Sequence, residues 1–299
     1  MALFSPSESP AVVVKEIDLT GGVPNVQSTT GAIVGNFRWG PAEKRSLIAN
    51  ETELVEKFAA PDSDTTIDFH SASYFLRYSS ALQVVRAIDG NADNAISVSA
   101  DSGAGILSAV IVKNEDDFAS QSSALTAGNQ TFIGRYPGAL GNDLQVQMCH
   151  ANSTAYNAWG FKNEFDAVPA TSNFLTAKNG SNDEVHTVVV DKNGKFTGTK
   201  NAVLERYAFL SLAKDAKADD GTSIYVKDVI NERSEYIHMA GFDSAVVANI
   251  TKSGRVALDS GDNFLSTGAS LFNRHFTFNF SGGSNSNALT TTEFLSGFD

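Results

Sequence analysis

The sequence of 299 residues contains one cysteine, Cys149. A single thiol excludes an intramolecular disulfide framework and a zinc site with several cysteine ligands, and it is typical of assembly in a reducing cytoplasm. Stability must therefore come from packing. A hydrophobic content of 42% that includes 20 Phe is enough to bury one large core or two moderate ones.

Long apolar runs are missing as well. The longest, such as residues 109–112, are far shorter than the ~20 residues that a membrane helix needs. The first six residues have neither the basic region nor the apolar core of a signal peptide. These absences predict a soluble protein that is not inserted in a membrane and not exported by a signal peptide.

Positive charge is scarce. Lys and Arg total 22 against 34 Asp and Glu, which gives a formal charge of −12. Because nucleic-acid binding without sequence preference depends on clustered cations that neutralise phosphates, this balance argues against a nucleic-acid partner. An acidic surface instead keeps a protein that is present in many copies soluble.

Motifs for catalysis or cofactor binding are weak or absent. Residues 103–108 partly match a dinucleotide-binding turn, but the third glycine is Ser108 and strand-like residues follow where a helix should begin. Residues 191–194 resemble the start of a calcium loop, yet Ala202 stands where a bidentate Glu is needed. The histidines show no spacing typical of metal ligands. The sequence therefore predicts no catalytic, metal-binding or cofactor-binding residue, and no enzyme.

Two local clusters of reactive residue types have plain explanations. Cys149 and His150 are adjacent on a predicted strand, where neighbours point to opposite faces, so they are interpreted as a buried cysteine and a histidine at the rim. The acidic pairs at 116–117 and 219–220 lie in polar, turn-like stretches and are interpreted as solvated surface.

Residues 1–30 differ from the rest of the chain. A β-prone segment at 12–19 is flanked by prolines on one side and a Gly pair on the other, which predicts an extended arm with one strand. Two interpretations stay open. The strand either begins the chain's own sheet or adds to a sheet of another subunit by β-augmentation, an exchange that is most stable in a multivalent lattice.

The remainder predicts an α+β fold. Strands are predicted at 31–37 and 82–89, with a short helix that Asn50 and Glu53 cap and a helix at 66–79 between them. A shift to Ser, Asn, Ala and Gly at 90–105 precedes a β-rich, sandwich-like region. Its predicted strands are 106–112, 143–150, 185–191, 255–258 and 276–280, and its predicted helices are 202–212 and 224–230. An Asn-Gly hairpin turn is predicted at 191–194. A capping box at Thr290 predicts the start of a last helix.

This pattern predicts four units. They are an N-terminal arm at 1–30, part of an α/β core domain at 31–95, a β-rich outer domain with a few helices at 96–284, and the start of a helix returning to the core at 285–299.

Six segments in order along the chain carry distinctive motifs. They are residues 9–18 (SPAVVVKEID), 31–41 (GAIVGNFRWGP), 82–89 (LQVVRAID), 136–143 (YPGALGND), 204–234 and 280–283 (FSGG). Together they resemble the tail sheath proteins of contractile-tailed (myovirus) bacteriophages. Ala11 departs from the family's first motif, which has Gly there. Members of this family continue into the rest of the core and a C-terminal arm, so the resemblance implies a truncated chain.

The resemblance implies a structural subunit without cofactors, found in the virion tail after assembly in the host cytoplasm. Its partners would be other sheath subunits, the tail tube protein, the baseplate and the tail terminator, and contraction of their helical lattice would drive the tube through the host envelope. Subunit contacts are expected from the arm strand, Val12, Val13, Val14, Lys15, Glu16, Ile17 and Asp18. The structural motif residues are Trp39, Gly40, Pro41, Tyr136, Pro137, Gly138, Gly141 and Asn142.

A different class of function stays open at this point. β-rich domains rich in Ser, Asn, Thr and Gly also serve as receptor-binding or carbohydrate-binding tail modules. Such a module would favour exposed aromatic clusters, for which Trp159 and Phe161 are the candidates.

Overall fold

The computed structural model describes residues 30–99, 110–127, 132–241, 275–285 and 289–298. The predicted arm strand with Val12 and its neighbours, the predicted strand at 255–258 and most of that at 106–112 lie outside these residues. The strands are β1 (Gly31–Gly35), β2 (Ser46–Ile48), β3 (Leu82–Arg86), β4 (Ile96–Ser99), β5 (Phe132–Gly134), β6 (Leu144–His150), β7 (Glu184–Asp191), β8 (Ala202–Ser211), β9 (Ile237–Met239) and β10 (Phe276–Ser281). The helices are α1 (Glu51–Phe58), α2 (Thr66–Leu76), α3 (Glu115–Ala127), α4 (Ser153–Ala158), α5 (Asn173–Thr176), α6 (Val226–Arg233) and α7 (Thr291–Ser296).

A small sheet comes first, with the strand order β1-β3-β2. β1 and β3 are parallel, and β2 is antiparallel to β3. Helices α1 and α2 cover one face with a core of Phe37, Leu54, Phe58 and Phe69. At Asn50 the side chain accepts a hydrogen bond from the Glu53 N–H at 2.9 Å, so the predicted helix cap is confirmed.

A larger sheet follows, with seven strands in the order β8-β7-β6-β10-β4-β5-β9 and only antiparallel pairs. Alternate residues of β10 enter its main core, since Phe276, Phe278 and Phe280 are buried on one face. The opposite face is covered in part by Trp159 and Phe165, which follow α4. Helices and two kinds of sheet thus make the α+β class that the sequence predicts.

Helix α6 lies between the two ends of the larger sheet, because it contacts both β8 and β9. Glu205 on β8 joins these ends. Its carboxylate accepts hydrogen bonds from the Ser234 hydroxyl at 2.6 Å and the Glu235 N–H at 2.7 Å, just before β9. The sheet is therefore curled around the main core, and α6 fills the gap.

The predicted helix at 202–212 is wrong, because Ala202–Ser211 is strand β8. Two bulges interrupt its pairing with β7, and Phe209 at one of them has a φ of 52°. A bulge puts Tyr207 and Leu210 on the same face at a spacing of three, which imitates a helical pattern. The spacing of apolar residues at 202–212 therefore matches the helical period of 3.6 residues although the segment is a bulged strand.

The predicted hairpin between β7 and β8 is present, but not as a two-residue turn. Residues 192–201 form the connection, and the Asp191 carboxylate accepts hydrogen bonds from the N–H groups of Lys195, Phe196 and Thr197. This buried carboxylate orders the whole connection, and its oxygens are already used by N–H donors.

Other differences concern α3 and the strand before it. Asp116 and Asp117 lie in the first turn of α3 and not in an irregular turn, while 219–220 lie in a turn as expected. The described part of the predicted strand at 106–112, residues 110–112, does not form a strand. Within the described ranges, no helix has both the length and the apolar character to span a membrane.

Candidate functional site: the junction between the two sheets

The motif residues of three segments meet where the small sheet contacts the larger one. Trp39 follows β1, yet its side chain lies in the main core of the larger sheet and is 2% exposed. Its ring packs edge-on against Tyr136, with centroids 5.5 Å apart, and against Phe196, at 5.2 Å. The Trp-Gly-Pro segment at 39–41 and the Tyr-Pro-Gly turn at 136–138 are therefore in direct contact.

Arg86, the last residue of β3, binds both sides of this junction. Its guanidinium donates to the carbonyls of Phe37 at 2.7 Å and Gly40 at 3.0 Å on the small-sheet side, and to Pro137 at 2.8 Å on the other. The side chain is buried. Burial lowers the pKa of Arg86 to about 9, so the group is still charged at neutral pH, and carbonyl oxygens take the place of a carboxylate partner.

Two glycines of the motifs are required by backbone conformation. Gly40 has a φ of 100° and Gly138 a φ of 135°, both in the region that L residues avoid. A Cβ on Gly138 would also lie 2.8 Å from Asn285 Oδ1 and 3.2 Å from Arg86 Nη2. A side chain at Gly138 would therefore be strained by the φ angle and would displace the side chain of Asn285.

Asn142 connects the turn to the segment after β10. Its amide donates to the Gly283 carbonyl at 2.8 Å and accepts from the Gly283 N–H at 2.8 Å, in the manner of a paired backbone group. Gly283 is itself required, since a Cβ there would lie 2.6 Å from the Gly138 carbonyl oxygen. Gly283, the last glycine of the FSGG motif, thus packs on the Tyr-Pro-Gly turn.

The structure brings together all eight motif residues that the resemblance singled out, and none of the arm residues is among those described. Sequence reasoning missed Arg86 and Phe196 as members of the junction. A signal existed for Arg86, because a lone arginine in an otherwise apolar strand indicates a buried group that needs partners. No comparable signal existed for Phe196, which depends on the ordering of residues 192–201 by Asp191.

We expect Gly138→Ala to lower the free energy of unfolding by about 2–3 kcal/mol, because it combines an unfavourable φ with contact to Arg86 and Asn285. Chemical denaturation followed by circular dichroism measures this loss. Gly160→Ala is the matched control, since nothing lies within 4 Å of a Cβ at Gly160. Equal stability of both variants would show that the turn tolerates a side chain.

The other candidate residues form no reactive group. Cys149 is buried against Trp159 on one face of β6, while His150 lies on the opposite face with its ring 4.6 Å from that of Phe276. The prediction of a histidine at the rim is wrong, because β6 is an inner strand and both of its faces are covered. Burial raises the pKa of the Cys149 thiol to about 12 and lowers the pKa of His150 to about 3.

Trp159 offers no exposed platform for a sugar. It is 1% exposed, its indole N–H donates to Gln147 at 2.8 Å, and its ring stacks on Phe165. This burial removes the observation that favoured a carbohydrate-binding module. In the part of the chain that the structure describes, no three His, Cys, Asp or Glu side chains are grouped so that they could hold a metal ion.

The junction has the chemistry of a structural connection: buried rings, a buried guanidinium on backbone carbonyls, and glycines at close approach. Arg135 continues it toward α3, since its guanidinium contacts Glu115 at 2.5 Å and the Ser234 carbonyl. The contacts of Arg86, Arg135 and Trp39 are all made within the same molecule, and they hold the two sheets in a fixed relation.

Comparison with known proteins gives three similar phage sequences. The tail sheath protein of Salmonella phage ViI is 35% identical over 204 residues, which cover 68% of this chain and 29% of that protein. Over 81 residues, covering 27% of this chain and 12% of each relative, the identity is 41% to the tail sheath protein of Enterobacteria phage T4 and 36% to that of Vibrio phage KVP40. No family model matches the sequence.

Crystal structures of sheath tail proteins from Listeria innocua and Desulfitobacterium hafniense align with 90% and 96% of this chain, and with 36% and 41% of those chains. Both have a TM-score of 0.39 and 10% sequence identity. The chain spans less than a third of the length of the curated relatives that it matches. The sequence matches show that the chain is a homologue of the tail sheath proteins of bacteriophages.

Proposed function

We propose that this chain is the N-terminal and outer portion of a contractile tail sheath subunit. Copies of the subunit polymerise around the tail tube, and contraction of their lattice drives the tube through the host envelope. The observation that carries this proposal is the 35% identity to a tail sheath protein over 204 residues. The non-enzymatic role is consistent with the names of the relatives.

We assign residues 31–95 and 285–299 to a core domain and 96–284 to an outer domain. The second face of the small sheet supports a larger core. Ala32 and Leu47 are exposed on it, with Leu47 at 55%, although sheets with parallel strands are normally covered on both faces. α7 already reaches this face, since a Cβ on Gly297 would lie 2.5 Å from Val34.

The junction gives the proposal a mechanical basis. A subunit that is rearranged in a lattice must pass force between its parts without unfolding, and buried, fully hydrogen-bonded contacts suit that task. Arg86 supplies buried hydrogen bonds between the two sheets, and Trp39 supplies a buried ring contact between them. Asn142 holds the Tyr-Pro-Gly turn on the segment after β10. The arm strand with Val12, Val13 and Val14 is proposed as the tether that keeps neighbouring subunits connected while they move.

Electron microscopy of the full-length protein tests this proposal. We expect negatively stained samples with added tail tubes to show striated sleeves, and a variant with Val12→Asp and Val14→Asp to stay monomeric, because the charges prevent burial of an added strand. A control with Ser5→Asp and Ser7→Asp carries the same charge outside the strand. Persistent wild-type monomers at high concentration and with tubes present would refute the proposed function.

A further inference from the structure

In the described part of the chain, one side of helix α2 exposes apolar residues. Its inner side packs Phe69 and Ala72 into the core of the small sheet. Ile67 and Tyr74 lie on its outer side at helical spacing, and Tyr78 lies in the turn that follows α2; they are 82%, 57% and 89% exposed. We call these three residues the α2 stripe. Large apolar side chains that are exposed together mark contact surfaces.

The composition of the α2 stripe is that of a contact surface. The Arg77 guanidinium lies 4.9 Å from the centre of the Tyr74 ring, and Tyr and Arg are the residue types enriched at energetic centres of interfaces. Between them on the same side lie His70 and Ser71. Asp64, one turn before Ile67, and Arg77, beside Tyr74, are both exposed and opposite in charge. The local net charge is therefore small in a chain with a net charge of −12, and two copies approach here with little repulsion.

The size of the α2 stripe indicates how strongly it binds. Two tyrosines and an isoleucine expose on the order of 400 Å² of side chain, which is about half of the ~800 Å² per partner in a stable pairwise interface. Such a contact is too small to hold a dimer, but it adds to the stability of a lattice in which each subunit makes several contacts.

We infer that the α2 stripe is a contact between copies of this chain, occupied in the polymer and free in the monomer. This inference rests on the proposed function, which supplies the second copy. The alternative occupant is another part of the same molecule, which would cover the stripe in the monomer as well.

Thiol labelling of full-length Y78C with a maleimide distinguishes these cases. Cys149 is buried and its raised pKa of about 12 keeps it protonated, so the wild-type protein supplies the blank. Lys200→Cys, at an exposed position of the connection between β7 and β8, gives the rate of a free thiol in the monomer. We expect the Y78C monomer to react at that rate and the Y78C polymer to react at least tenfold more slowly.

Each result decides the inference. Slow labelling of the Y78C monomer would mean that the same molecule covers the stripe, and rapid labelling in the polymer would mean that no copy does; either overturns the contact alone. Failure of the wild-type protein to polymerise would refute the proposed function and the contact with it. A folded Y78C protein that stays monomeric while wild type and Val55→Ser polymerise would support the contact, since Val55 is an exposed apolar residue on α1.

Discussion

Arg86→Met is expected to lower the free energy of unfolding by about 4–5 kcal/mol, because breaking a buried charged network strands its partners. The methionine fills a similar volume but leaves the carbonyls of Phe37, Gly40 and Pro137 without their donor. Arg86→Lys keeps the charge but not the planar fork that reaches both sides of the junction, so we expect it to recover only part of the loss.

Urea denaturation with a wild-type reference measures both variants. Arg206→Met is the matched control, because Arg206 has 65% of its side chain exposed and contacts Glu164 at 3.6 Å, and exposed pairs of this kind contribute at most about 1 kcal/mol. If the Arg86 and Arg206 variants lose equal stability, the guanidinium of Arg86 does not hold the sheets together.

Acid is expected to destabilise the larger sheet through two buried histidines. His150 is fully buried and His238 is 1% exposed, and no described residue forms a hydrogen bond with a ring nitrogen of either. Burial lowers the pKa of each to about 3 from 6.5, and Arg135 adds to the effect at His238. As pH falls below 6.5, the unfolded chain binds protons that the folded chain does not, so stability is full above 6.5 and is lost on the way down to 3.

The magnitude follows from the pKa shift. Each histidine should cost ~1.4 kcal/mol per pH unit in this window, or ~5 kcal/mol in all at pH 3. Denaturation at several pH values should show a steeper loss for wild type than for a double variant with His150→Phe and His238→Phe, whose carboxylates titrate alike. His70→Gln, at an exposed position of α2, is the control and should keep the wild-type slope. Parallel curves for wild type and the double variant would exclude these histidines as the cause.

Two helix caps could be predicted from the sequence alone. The caps at Asn50 and Thr290 need only the residues of their own helix turn, and both are formed. Strands with regular alternation, such as β10, were equally clear. Helix α3 is not predicted, because Asp116 and Asp117 are interpreted as part of a turn-like stretch although acidic residues are typical of the first turn of a helix. Its core residues among the described side chains are Phe118 and Leu125.

The junction could be predicted in its members but not in its geometry. The resemblance indicated Trp39 and Tyr136 as motif residues, and nothing in the sequence said that their rings meet. The partners of Arg86 are backbone carbonyls, which every residue has, so no side-chain pattern reveals them. Contacts of this type arise from the tertiary path of the chain and are visible in the structure alone.

The bulges of β8 affect how copies of this chain can associate when they are crowded together. β8 ends the strand order of the larger sheet, and a regular strand in that position would offer a template on which another chain could add by backbone pairing. Two interruptions of its ladder and the exposed charge of Arg206 make this template irregular. Copies of this chain at high local concentration would therefore be protected from open-ended cross-β aggregation at this edge.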